Sequence, residues 1–291
     1  MSEPPPQRVS PIGSPDEYTL PGRPAPAAST VLDAYRQTQF ILGGELALFA
    51  AALNLQIGLV KDAYPSRYRT HALAAIVPLW SRAFTYLGDA LLLLTRGSYP
   101  STLPLVRAAA EAIAAQEGLR GGEMEAHHDW LRGTLRPVEA FKAFEFALGR
   151  YFAGEPLASD PVLRAVYRPA SDLGRPNFGA SLLQVAPESN NTRLAIAFGD
   201  ASFHLGWAEI VAGWLLALAS RQLRTIVDAA PTFPISDERR VEYEAIEGRV
   251  DAALARSDRA AVQEVEDGSN RRYLLVNFRR TAGAAPKRVL L

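Results

Sequence analysis

The chain has 291 residues, with 31 basic and 31 acidic side chains, 48% hydrophobic residues and no cysteine. That much apolar material fills one or two globular cores, and the missing thiols exclude disulfides, thiolate metal sites and a cysteine nucleophile. Zero net charge removes any global attraction to nucleic acid or acidic membranes and leaves only local basic patches.

The first residues lack the basic start and apolar stretch of a secretory signal. Residues 1–30 instead hold eight prolines, which favours an extended leader. The longest uncharged apolar stretch, 46–60, is interrupted by Asn54 and Gln56. It falls short of the about 20 apolar residues that span a bilayer. The expectation is a soluble, cytoplasmic chain without a membrane segment. It divides into the leader 1–30, a helical bundle 31–229, and a linker with a charged C-terminal appendage 230–291.

Ser29 or Thr30 caps a first helix over 31–62, ended by Tyr64-Pro65. A second covers 66–95, where Pro78 removes a backbone donor and should kink or divide it. Gly97 supplies a left-handed stop. A third helix starts at Ser101 or Thr102 with Pro104 in its first turn. Its segment 106–115 is alanine-rich and has no continuous polar face, which places it at the centre of a bundle. Gly121-Gly122 break it.

A short polar helix over 123–132 follows, then one opened by Pro137 with Val138, Phe141, Phe144, Leu148 and Phe152 at helical spacing. Asp160-Pro161 starts another, which Pro169, Gly174 and Pro176 interrupt. Two apolar runs, 182–185 and 194–198, flank a Pro-Glu-Ser-Asn-Asn turn and predict a small hairpin. Asp200 caps a long helix to about Val227, with Trp207, Val211, Trp214 and Leu218 on one stripe. Beyond the linker, 237–267 predicts a charged amphipathic helix and 273–278 a strand. The fold class is therefore all-α: five or six main helices around the helix 101–118, with a C-terminal appendage.

Arg107 and Glu111 stand one turn apart on the least polar helix. Buried charges persist only when paired, so the two predict either a register-fixing ion pair, completed by Glu45 or Asp89, or a polar pocket within the bundle. Glu125 and His128 have the spacing of one half of a di-iron motif, but its second copy is missing and no metal or other cofactor is implied. His204, in the first turn of the last bundle helix, reads as a half-buried histidine. Phosphate loops, dinucleotide fingerprints and nucleophile elbows are absent from the sequence. The pairs Arg271-Arg272 and Arg279-Arg280, with Tyr273 and Phe278 between them, allow an RNA-contacting strand or, more commonly, an edge docking on a partner.

Two segments carry a family resemblance. One runs from Ala90-Leu91-Leu92-Leu93-Leu94 through Leu105-Val106-Arg107-Ala108-Ala109-Ala110-Glu111-Ala112, the other is Tyr167-Arg168-Pro169-Ala170-Ser171-Asp172-Leu173-Gly174-Arg175-Pro176-Asn177. Together they resemble a loosely defined group of uncharacterised bacterial helical proteins related at fold level to the HEPN-like superfamily. Members carry an arginine and, four residues on, a glutamate, then a tyrosine, a serine and usually a histidine. Here Tyr167 and Ser171 match, while Arg175 stands where the histidine is expected. The resemblance spans about 40–228 and implies a candidate pocket of Arg107, Glu111, Tyr167, Ser171 and Arg175. HEPN-like proteins include metal-independent ribonucleases that use an arginine and a histidine separated by four to six residues, a count that Arg120 and His127 meet across the Gly121-Gly122 break.

No complete catalytic constellation assembles from the sequence. The leading expectation is a non-enzymatic binding or interaction module, of the stress- or defence-linked kind the resemblance implies, with a HEPN-like ribonuclease as the alternative. Val241, Ile246, Val250, Ala253 and Leu254 form an apolar stripe on a piece too small to fold alone. It needs cover from the bundle or from a second copy, and a homodimer through this segment is the expectation.

Overall fold

The computed structural model describes residues 12–25, 27–63, 71–134, 148–149, 151–229, 233–267, 270–279 and 288–290. The helices are α1 (Ser29–Ala63), α2 (His71–Thr95), α3 (Tyr99–Gly118), α4 (Met124–Thr134), α5 (Gly154–Ser159), α6 (Pro161–Leu173), α7 (Phe178–Val185), α8 (Leu205–Val227) and α9 (Asp237–Leu254). Three strands close the chain: β1 (Ala261–Asp267), β2 (Asn270–Val276) and β3 (Arg288–Leu290), antiparallel in the order β1-β2-β3. The all-α bundle is present, and its appendage is one helix and a small sheet.

Helix α8 is the most completely buried helix and shares the middle of the bundle with the alanine-rich α3, which packs against α2, α5, α6 and α8. Nearly every residue of α8 is buried, including Trp207, Val211, Trp214 and Leu218, and it packs against α1, α2, α3, α6, α9 and β1. Helix α3 buries only half its residues and leaves a narrow solvated stripe through Pro104, Arg107, Ala108 and Glu111. Small alanines let its neighbours come close, but they do not by themselves require burial all round. Between the two helices Gln116 and Gln222 exchange reciprocal amide hydrogen bonds of 2.7 and 2.8 Å in the dry core. Helices α1 and α8 are each long and apolar enough to cross a membrane by length and composition, although 83% of the α8 window is buried within this fold.

Punctuation residues act where their chemistry predicts, with shifts. Pro78 lies inside a continuous α2, and Pro169 inside a continuous α6, so neither divides its helix. Gly97 takes the left-handed φ of 70°. Helix α3 starts two residues early, on Tyr99-Pro100, leaving Pro104 in its interior. At Gly121-Gly122 the chain makes a π-helical turn, Leu119–Glu123, and Gly122 at φ 145° swings it into α4. Asp160 caps α6 by accepting the Leu163 N–H at 2.8 Å. The cap of α8 is His204, whose Nδ1 accepts from the Trp207 N–H at 3.2 Å, not Asp200. The expected helix beginning at Pro137 falls mostly outside the described residues.

No hairpin forms across 182–198. Residues 182–185 belong to α7, whose cap Asn177 accepts from Ala180 N–H and outcompetes strand pairing. The run 194–198 is not a strand: it joins α7 through one backbone bond, Ala197 N–H to the Val185 carbonyl at 2.7 Å, and ends in a turn at Phe198-Gly199. The hairpin of this protein is β1–β2, where 261–267 had read as the end of a helix.

The C-terminal appendage folds back on its own bundle. Of the expected stripe, Ile246 and Val250 are buried with Tyr243 against α1 and α8, Ala253 and Leu254 are half-buried, and Val241 is 66% exposed. Arg239 reaches Asp62 of α1 at 2.9 Å. Phe278 is fully buried, its ring 5.4 Å from Trp207 and 4.6 Å from His204. Gly206 makes that seat possible: a Cβ there would stand 2.2 Å from the Phe278 carbonyl oxygen.

Candidate functional site

Helices α3 and α6 bring three of the five candidate pocket residues together. Arg107 Nε and Nη2 donate to Glu111 Oε1 at 3.2 and 3.1 Å, and the guanidinium lies 5.8 Å from the centre of the Tyr167 ring. The side chains of the pair are 40% and 28% exposed, so the cluster is a surface feature rather than a pocket inside the bundle. Partial burial works against the Arg107 charge, but Glu111 and Tyr167 outweigh it and hold the guanidinium above its usual range. Tyr151, from the segment before α5, stands near the same cluster, and its hydroxyl is pushed up to about 12, first by desolvation and then by the Glu111 carboxylate.

Ser171 and Arg175 do not join this cluster. Ser171 is buried on the core side of α6, and Arg175 is exposed at the helix end, 3.7 Å from Asp172. Glu45 and Asp89 do not complete the Arg107 pair either: Glu45 lies in the core beside Arg259, and Asp89 is exposed on α2.

Two ion networks that sequence reasoning missed are better built. Below the π-helical turn, Arg221 donates to Asp160 Oδ2 at 2.8 Å, Glu117 Oε1 at 2.9 Å and Thr225 Oγ1 at 2.7 Å. Desolvation opposes its charge, but its hydrogen bonds to the Asp160 and Glu117 carboxylates and their negative charge raise its affinity for the proton. Arg120 closes the group by donating to Glu117 Oε2 at 2.9 Å and to the Asp228 carbonyl at 2.9 Å. An open cavity of about 490 Å³ lies above, walled by Gly121, Gly122, Phe152 and Glu155. With its donors committed to carboxylates and a hydroxyl, the Arg221 fork acts as a clamp between α3, α6 and α8.

The second network is deep in the core. Arg259 Nη1 donates to Glu45 Oε1 at 2.5 Å and its Nη2 to the Glu209 carbonyl, while Glu209 Oε2 accepts the Ala260 N–H at 2.8 Å. Asn277 ties the same turn by donating to the carbonyls of Ser257 and Arg259. The carboxylates of α1 and α8 thereby hold the start of the sheet. Glu45 was visible in the sequence as a charge in an apolar run, but its partner lies 214 residues away.

The two residues of the nuclease alternative stand at the π-helical turn and beyond it. Arg120 is engaged as described, Gly122 breaks the helical register, and the His127 ring sits 5.9 Å from Trp130. Among the described residues no group of three or more His, Asp or Glu side chains is placed to hold a metal ion. The aromatic residues between the basic pairs of the tail point into the protein: Tyr273 is buried with its hydroxyl 2.6 Å from Asp172, and Phe278 is in the core. Arg280 lies outside the described residues.

What remains unsatisfied on the surface is apolar. On α7, Phe178 is 99% exposed, with Leu182 and Val185 following at i+4 and i+7. In the run beside it, Leu194, Ile196 and Phe198 are 57%, 65% and 105% exposed, while Ala195 and Ala197 between them are half-buried. The alternation was readable as a strand, but nothing in the sequence said that its apolar side would be left facing solvent. No family model, curated protein or solved structure matches this chain.

Proposed function

We propose that this chain is a non-enzymatic protein-binding module whose docking face is formed by α7 and the run 194–198. One observation carries the reading: six large apolar side chains over 178–198 are exposed together, in a molecule whose arginine and carboxylate clusters are internally paired. A contiguous apolar patch beyond a few hundred Å² marks an interaction site in proteins of this size. Charged groups engaged in stabilising the bundle are not available to activate a nucleophile or to move a proton.

The test compares the proteins retained by immobilised wild type with those retained by an I196D/F198D variant of unchanged melting temperature. A retained protein is then purified and its affinity measured for both. A loss of at least about tenfold in the variant is expected, since two apolar anchors are replaced by charges that would have to be desolvated. Equal affinity, or reproducible turnover of a substrate by both proteins, would overturn the reading.

A further inference from the structure

We propose that the partner for this face is a second copy of the chain, paired strand to strand through residues 193–198 about a twofold axis at Ile196. The inference rests on the binding-face reading above and names its occupant. Three features of the run lead there.

The run has one used edge and one open edge. Ala195 N–H donates to Ser189 Oγ at 2.9 Å, and Ala197 N–H to the Val185 carbonyl at 2.7 Å. In an extended chain alternate residues direct their N–H and C=O groups to opposite edges. The N–H groups of Leu194 and Ile196 therefore face the other way, and among the described residues they make no hydrogen bond, while Phe198 opens the turn into Gly199. An open edge is a template for another strand.

The run is also complementary to itself. Antiparallel pairing centred on Ile196 sets Leu194 of each copy opposite Phe198 of the other, so each open N–H meets an open carbonyl. Arg193 of one copy then reaches the Asp200 end of the other. Between Glu188 and Asp200 it is the only charged residue, so the pairing places opposite charges at both ends and none in the middle.

The run's own face is apolar and open. Leu194, Ile196 and Phe198 are 57%, 65% and 105% exposed, and antiparallel pairing continues these side chains into one apolar face across both copies.

The protein has no cysteine, which makes the test direct. Hydrogen-bonded antiparallel partners stand about 5.5 Å apart at Cα, within the roughly 4.4–6.8 Å that a disulfide bridges. On mild oxidation I196C should form a cross-linked dimer, whereas V241C on the exposed side of α9 should not. Sedimentation of the full chain should show a reversible dimer that I196D dissociates by about a hundredfold or more. R193E and D200R should each weaken it by about tenfold, and the double variant should recover most of the loss.

A wild type that stays monomeric to 100 µM (about the upper end of ordinary assay concentrations) overturns the inference, as does a dimer indifferent to I196D or unrestored by the double swap. If the wild type is monomeric while the same face still binds a different protein, the second copy is wrong and the binding-face reading stands. Loss of both would remove the two together.

Discussion

Replacing Arg259 with alanine removes the cation that stands between the bundle and its C-terminal sheet. Glu45, 7% exposed, is then left in the core with only the half-exposed Arg256, 3.5 Å away, in place of its 2.5 Å partner. Breaking one side of a buried pair typically costs about 3–5 kcal/mol, because the remaining charge is stranded without solvent. In a chain of this size each kcal/mol moves the melting temperature by about 2–4 °C, so R259A should melt on the order of 10 °C below wild type. The Arg107–Glu111 pair makes the matched control. Its side chains are 40% and 28% exposed, and screened pairs of that kind contribute about 0–1 kcal/mol. R107A should therefore melt within about 3 °C of wild type, far less than a fully buried pair on α3 would require. Circular dichroism melts of the two variants decide the matter. Equal losses, or an R259A variant within about 3 °C of wild type, would refute the assignment of the core ion pair.

Other variants probe neighbouring contacts. G206A places a Cβ 2.2 Å from the Phe278 carbonyl, so it should unseat the tail, seen as a lowered melting temperature and faster tryptic cleavage near Arg279. His204 is held below its ordinary pKa, first by burial and then by Arg279, with Glu188 opposing. The unfolded chain therefore binds the extra proton first, and stability should fall as pH drops from about 6.5 toward the folded pKa. An H204N variant, which keeps an N-cap acceptor, should flatten that slope between pH 5 and 7, and an unchanged slope would place the titration elsewhere. Structured and unstructured RNA incubated with the protein in chelator should stay intact. Cleavage abolished by H127A but kept by H71A would restore the nuclease alternative.

Local chemistry was legible in the sequence where one or two residues decide the outcome. Gly97, Asp160 and the aromatic stripe of α8 all act as their residue types require, because turn geometry, capping and 3.6-residue periodicity are short-range. Long-range partners were not legible. Glu45 finds Arg259 across 214 residues and Glu117 finds Arg221 across 104, distances at which no spacing rule operates. The burial expected around Arg107 and Glu111 was not legible either, for a related reason. Alanines at 108–110 and 112 imitate a buried face, yet Ala108 lies on the solvated stripe beside Arg107 and Glu111. Side chains of one carbon carry too little apolar area to fix which way a helix turns. Trp207, Ile210 and Leu218 carry far more, and α8 is the more deeply buried of the two.

The run 194–198 shows why an exposed apolar edge need not be a hazard. Edge strands invite unlimited pairing when they are long, flat and open on both sides. Here one side is already consumed by Ser189 and Val185, and Asn190 turns the chain back by accepting from Thr192 and Arg193. At the other end Gly199, at φ 65°, ends the run before a longer ladder can form. A segment with a single open edge and blocked ends accepts one further segment and then presents nothing more to pair. When the incoming segment is an identical copy, a twofold axis uses both open edges at once and closes the assembly. A head-to-tail arrangement through this run would need a second open edge, which the contacts of Ala195 and Ala197 deny it. The same hydrogen bonds that fix the run on its own chain would therefore limit the proposed pairing to two copies.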